Sequence, residues 1–234
     1  MRYYWMLLCC LPLLAEAGVV RVPVMLGSSK VLVEYQRGTD TTFVHLHADE
    51  KTALVAAQRV ARRTGAGLLR LVHPGGRLVC FQLNGKRYLF DPNRMFSDSG
   101  IRQTLTRYSQ YSPDAHRAIA HLANVFLKHL PSGKVVSVHN NRGYSMRDYF
   151  PGHPSAREAA AIHQNPNWTF RNFYFVTQRE DYTRMRKLGF NSVLQARAPS
   201  DDGSLSVRLS GLPYINVEAA HGQLQQQISM LENA

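Results

Sequence analysis

Thr42-Phe43-Val44-His45-Leu46-His47-Ala48-Asp49-Glu50 is the stretch on which the reading of this chain turns. Its first part is an apolar run that reads as a strand. From Glu50 to Arg63 the apolar positions Ala53, Leu54, Ala57, Val60 and Ala61 recur at helical spacing. Arg59, Arg62 and Arg63 load the last turns, and Gly65 stops the helix. The strand-to-helix junction therefore carries a His and a Glu three residues apart, His47 and Glu50. Such a pair can share one zinc ion, which accepts imidazole nitrogen and carboxylate oxygen alike. A catalytic zinc takes three protein ligands and keeps one position open. An H-x-x-E alone is common. It gains weight from three later segments that suit the same site: Asp91-Pro92-Asn93-Arg94-Met95-Phe96, Val138-His139-Asn140-Asn141 and Tyr214-Ile215-Asn216-Val217-Glu218.

Outward from this junction the pattern alternates. Val19–Met25 and Lys30–Gln36 read as strands ahead of it. Leu68–Val72 and Arg77–Leu83 read as a hairpin around Pro74-Gly75-Gly76, and Tyr88–Phe90 as a short strand. Ser112-Pro113-Asp114 starts a helix with an N-cap, a first-position proline and an acid at the positive dipole end. That helix is predicted to run to about Leu130. Strands are predicted over Lys134–His139, Phe173–Thr177 and Tyr214–Glu218, and helices near Asp181–Leu188 and over Gln223–Leu231. Asn191–Arg197 and Ser204–Ser210 are expected to flank a turn at Asp201-Asp202-Gly203. This alternation predicts an α/β fold, a mixed parallel and antiparallel central sheet with helices on both faces. In such folds functional residues collect at the carboxyl ends of strands. His47, His139 and Glu218 all fall at or near predicted strand ends.

The chain has 234 residues, 44% of them hydrophobic, enough for one substantial core and one domain. Residues 1–17 read as a secretory signal: Arg2, an apolar stretch from Met6 to Leu14, and the cleavage site Ala15-Glu16-Ala17. A lipidated Cys9 or Cys10 and an uncleaved anchor are the alternatives. Cleavage would leave residues 18–234 as a single domain, exported to the periplasm or beyond the cell, without stable membrane insertion. Cys80 would then be the one cysteine left, so no internal disulfide would form, and its apolar neighbours suggest a small core residue. The net charge of +12 favours anionic partners. Scattered basic residues and the lack of a recognised motif argue against nucleic acid.

The four segments, in this order, resemble the zinc carboxypeptidase superfamily, and within it the succinylglutamate desuccinylase/aspartoacylase branch. That branch carries H-x-x-E, then D-x-N-R-x-F, then a strand ending in H-N, then a strand with a catalytic Glu before a Gly-containing turn. The correspondence runs from about residue 42 to 232 and implies a zinc-carboxypeptidase-like fold with one zinc per chain. It implies His47, Glu50 and His139 as ligands and Glu218 as the general base. It also implies Asn93 and Arg94 as holders of a substrate carboxylate, a task that suits a guanidinium. Arg87, with Lys86 as the alternative, becomes the candidate for stabilising the oxyanion, and Asn140 a pocket-shaping or ligand-supporting residue. Zinc in such a site lowers the pKa of bound water toward about 7.

The sequence departs from that pattern in places. Ala48-Asp49 stands where the branch often has Gly-Asn, and Asp49 reads as a helix-start residue. Pro92 replaces an apolar residue. Only one predicted helix follows Glu218, where aspartoacylase-like members carry a further region that narrows the pocket, so an open site is expected. His45 reads as a hydrogen-bonded core histidine, while Tyr144, Tyr149 and His221 are further residues that could reach substrate. The functional expectation is an exported zinc hydrolase cutting an amide bond beside a free carboxylate, in a short peptide such as a cell-wall stem peptide. Deacylation of an N-acyl amino acid is the alternative within the same class. A non-catalytic metal-binding or wall-binding module on the same fold is the alternative from another class.

Overall fold

A computed structural model of the chain describes residues 18–234; the expected signal segment lies outside the described residues. Nine strands form one sheet, in the order β1 (Val19–Leu26), β2 (Ser29–Gln36), β4 (Gly67–Val72), β3 (Thr41–His45), β7 (Lys134–Asn141), β11 (Tyr214–Ala220), β9 (Phe173–Val176), β10 (Ser192–Gln195), β8 (Ala159–His163). Strands β4, β3, β7 and β11 are mutually parallel, while β2 and β9 flank them antiparallel. The four parallel strands therefore end on one rim. Their inward positions are dominated by Val, Leu and Phe because both faces are covered.

Helices α1 (Lys51–Thr64), α4 (Arg179–Lys187) and α6 (Leu224–Glu232) cover one face. They pack Ala53, Ala57, Val60, Met185 and Met230 against Phe43, Val136, Val138, Ile215 and Val217. On the other face, α2 (Asp98–Tyr108) and α3 (Pro113–Leu127) pack with Leu46, Leu69, Phe81 and Phe126 over the first half of the sheet. Met146 and Tyr149 cover Phe173, Phe175 and Val193 over the second half. A gap between these two covering layers opens at the rim where the parallel strands end. The fold class expected from the alternation is the one observed.

The expected hairpin around Pro74-Gly75-Gly76 is corrected. β4 pairs with β2 and β3 in the main sheet, and the hairpin is β5 (Val79–Leu83) with β6 (Lys86–Phe90). Its turn is Asn84-Gly85, with both residues at positive φ (51° and 71°), the backbone a two-residue turn needs and the reason an Asn-Gly pair suits it. In the segment expected to follow the Asp201-Asp202-Gly203 turn, Ser204 caps a single helical turn, α5 (Leu205–Arg208). Two elements had no counterpart in the sequence reading: α2, capped by Ser97, and β8 at the sheet edge. Cys80 is half-buried rather than in the core, because strand alternation turns Val79 and Phe81 inward and Cys80 out.

Candidate metal centre

His47 lies two residues beyond β3, in a turn closed by the Glu50 amide donating to the His47 carbonyl (3.1 Å). The turn brings both side chains back over the rim. Glu50 occupies the N-cap position of α1, yet its side chain makes no capping bond. A capping side chain typically contributes about 1 kcal/mol. The Glu50 carboxylate instead faces the two histidines. His47 Nδ1 lies 3.0 Å from Glu50 Oε1, His139 Nδ1 lies 3.0 Å from Glu50 Oε2, and the two Nδ1 atoms are 3.3 Å apart. All three residues are buried. Among the described residues they form the one group of three potential ligands whose donor atoms converge.

The donor set fits zinc. Tetrahedral ligands at about 2.0–2.2 Å from a metal stand about 3.3 Å apart, close to the separations seen here. The tautomer fits as well. His47 Nε2 is 2.8 Å from Asp91 Oδ1, and an ionised carboxylate only accepts, so the proton sits on Nε2. With a metal held, the ring would be neutral and its Nδ1 lone pair would face the space shared with Glu50 and His139. A carboxylate behind a ligating imidazole is the common device for fixing its orientation.

Charge is concentrated around this cluster. Burial opposes ionisation of Asp91, but His47 and Arg77 more than offset it and hold the carboxyl below its ordinary value. Glu50 is held low for the same reason, by His47 and His139 against burial. Burial also opposes a charged His47, yet Glu50 and Asp91 push the imidazole up to about 9. His45 behaves differently: burial dominates, its pKa falls to about 4, and Nε2 meets the Glu50 carbonyl at 3.2 Å. It is a core histidine, as its sequence reading expected.

Glu218 sits beside His139 in register across β7 and β11. Asn141 Nδ2 donates to its Oε2 (3.1 Å) and Asn216 Nδ2 to its Oε1 (3.2 Å). Burial raises its pKa, and the neighbouring Glu50 adds to the rise, despite the charge of His139 and the two amide donors. Arg171 in turn holds Asn141, through Nε to Oδ1 (3.0 Å) and through its guanidinium to the Asn141 carbonyl.

The cluster forms one end of a cavity of about 830 Å³. Asn93 and Arg94 line it, in a 3-10 turn whose backbone Asp91 caps. Asn93 Oδ1 accepts from Leu205 N, and the Arg94 guanidinium pairs with Asp202 at 3.1 Å. Asp202 is brought there by Gly203, whose backbone touches that of Gly100: a Cβ on Gly100 would lie 2.3 Å from the Gly203 Cα, and Gly203 has φ +73°. Tyr144, Tyr149 and His221 also line the cavity, the two tyrosine hydroxyls bonded to each other. Asp49 is exposed at the same cavity, in the turn ahead of α1 rather than in its first helical turn.

One expected residue is placed elsewhere. Arg87 is exposed on the β5–β6 hairpin, does not line the cavity, and its Nε contacts Cys80 Sγ at 3.0 Å. The cation in the cavity is Arg77, 2.9 Å from Glu50 Oε1 and 3.4 Å from Asp91 Oδ2. It follows the carboxyl end of β4, a position that reading β4 as a parallel strand would have flagged. Asn140, expected to shape the pocket or support a ligand, lines the cavity and works from behind it. Strand alternation sends it to the face opposite His139. There its side chain accepts from Ala53 N (2.7 Å) and donates to Gln227 Oε1 (2.8 Å). Gln227 donates to the His139 carbonyl, so Asn140 fastens α1 and α6 behind the metal centre. Asn141, one step on, faces the side of Glu218 and donates to it.

No family model matches the sequence, and no curated protein does. Among solved structures the chain is similar to an aspartoacylase family protein from Mesorhizobium loti, with a TM-score of 0.46 and 14% identity. The match covers 92% of this chain and 65% of that one, so this chain spans about two thirds of that protein's length.

Proposed function

We propose that this chain is an exported zinc-dependent hydrolase that cuts an amide bond beside a free carboxylate in a short peptide. One observation carries the reading: a buried carboxylate with a raised pKa, Glu218, stands in register beside a buried His–Glu–His cluster whose donor atoms converge, and both open on one cavity. His47, Glu50 and His139 would hold the metal, which when bound polarises a carbonyl and makes water acidic near neutral pH. Glu218 takes the proton of the attacking water at the carboxylate oxygens that Asn141 and Asn216 aim, and returns it to the leaving amine. Burial raises its pKa, which makes it a better proton acceptor than a solvated carboxylate. Arg94 receives the substrate carboxylate by exchanging its half-exposed partner Asp202, a pair weak enough to be replaced. Arg77 keeps Glu50 and Asp91 in place. Export rests on the apolar segment of residues 1–17 and its Ala-Glu-Ala site, and it makes a cell-wall stem peptide the substrate to try first.

The test is zinc content together with turnover of a panel of carboxylate-terminated peptides. We expect about one zinc per chain in the native protein and in Glu218→Gln, and none in His47→Ala. Turnover should fall by about 10²–10⁴-fold in Glu218→Gln. A native protein that stays zinc-free after reconstitution, or a Glu218→Gln variant with native turnover, would overturn the reading.

A further inference from the structure

Beyond Glu218 the cavity reaches along the sheet, over Phe175, Gln195, Tyr214 and Asn216, with Tyr144 and Tyr149 facing them. These positions share a face: Asn216 lies two residues before Glu218 in β11, and Phe175 pairs with Asn216 across β9. Two polar atoms in this recess have no partner. Gln195 is 6% exposed and its Oε1 accepts nothing, and the same is true of Asn216 Oδ1, whose amide nitrogen is engaged with Glu218. Buried amide oxygens without a donor are costly and uncommon. Two of them, on strands either side of β9 in one cavity wall, point to donors that arrive with a ligand.

The recess also restricts what that ligand is. The strand positions of its floor carry amide and phenol groups; the Glu218 carboxylate is held by Asn141 and Asn216, and Glu158 and Asp202, which also line the cavity, are engaged by Ser200 and Arg94. A carboxylate would set acceptors against acceptors, and an aliphatic group would leave both oxygens unpaired. An ammonium only donates and could accept nothing from a tyrosine hydroxyl. A carboxamide brings N–H donors for such oxygens and an acceptor for a tyrosine hydroxyl. We infer that the recess takes the carboxamide side chain of the substrate residue whose free carboxylate Arg94 holds, so that the enzyme selects glutamine- or asparagine-type residues at that position. The inference rests on the hydrolase reading for its place in catalysis, and on the unpartnered oxygens for its chemistry.

The experiment has a binding arm and a hydrolysis arm, both on the full chain loaded with zinc. Calorimetry with N-acetylglutamine, N-acetylglutamate, Nα-acetyl-lysine and N-acetylleucine should rank the glutamine compound first by about tenfold, the usual effect of leaving a buried polar group unpaired. Gln195→Leu should erase that preference. Gln195→Glu, nearly isosteric should the leucine variant fold poorly, should move it toward the lysine compound. The same order should appear in kcat/KM for peptides ending in these residues. Equal or tighter binding of the acid or the leucine compound, no binding of any of the four, or a ranking untouched by both variants overturns the inference. Binding in the expected order with no hydrolysis of any peptide would overturn the hydrolase reading and leave the recess assignment standing.

Discussion

The two walls of the cavity are built on opposite terms. At the metal end the carboxylates are matched inside the chain, and His139 Nε2 is the ligand-residue atom left without a partner. Asp91 fixes His47, Arg77 ties Asp91 to Glu50, and Gln227 holds the backbone of His139. At the recess end Gln195 Oε1 and Asn216 Oδ1 are left open. A network with its partners in place holds a constellation rigid before anything binds, and a loose supporting shell is what most often spoils such sites. A wall with unmatched acceptors gains its partners only with the ligand, and so discriminates among ligands. The rim thus separates a preorganised chemical end from a selective end.

The strongest way to break this comparison is to loosen the matched end. Arg77→Ala removes the cation shared by Glu50 and Asp91 while leaving all three ligand side chains in place. Groups of this kind typically contribute 10–100-fold to metal affinity, so zinc should be lost to a competing chelator at about that much lower chelator concentration. Arg87→Ala is the control, since its guanidinium lies exposed on the hairpin, and it should leave zinc affinity and turnover unchanged. Equal zinc retention in Arg77→Ala would mean that the three ligands hold themselves in place, and the contrast between the walls would fail.

A smaller effect is expected where the two ends meet, at Glu218. Arg171 acts on it only through Asn141. Arg171→Ala should lower kcat by about tenfold, toward the low end of what general-base catalysis contributes, with zinc content intact. The Asn141 donor favours the ionised carboxylate, so loosening it should move the acid limb of the pH–rate profile upward. Arg171→Lys should restore part of the loss. A fall in kcat with an unmoved pH profile would assign Arg171 to loop packing instead.

Much of this was legible in the sequence, for reasons that differ by element. The helix from the metal junction to Gly65 is visible because alanine and valine recur at its spacing, and His47, His139 and Glu218 because strand ends in α/β sheets gather on one rim. Asn140 was read as a supporting residue, but Asn141 was passed over: residues one apart on a strand face opposite ways, so the residue sharing the face of His139 had to be Asn141, and by the same rule Asn216 had to join Glu218. Arg77 was hidden by pairing, because the Pro74-Gly75-Gly76 turn suits a hairpin and nothing local says that β4 pairs with β2 and β3 instead. The Asn84-Gly85 signal for the true hairpin was present and is the stronger one. The recess lies beyond local reading altogether, since Phe175, Gln195 and Asn216 meet only through the order of β10, β9 and β11.

The smallest expected effect sharpens the comparison from outside the cavity. On the outer strands Glu34 accepts from Arg21 (2.9 Å) and Arg70 (2.7 Å), in one row across β1, β2 and β4. Burial raises the Glu34 pKa, but the two guanidinium groups bring it to a net value below the ordinary one. A carboxyl with a depressed folded pKa contributes its stability above the unfolded pKa and loses it as pH falls through the folded value. Arg21 is largely exposed, so the whole row should contribute only about 1 kcal/mol. Denaturant unfolding of the native chain and of Glu34→Gln should therefore show a constant gap of about that size above about pH 5, where the free carboxyl is ionised, closing as the solution is made more acid. The gap should be indifferent to zinc, because this row touches no ligand, whereas the loss from Arg77→Ala should appear only when metal competes. A Glu34 gap that grows with zinc would tie the outer strands to the metal end and dissolve the separation between the two kinds of polar network.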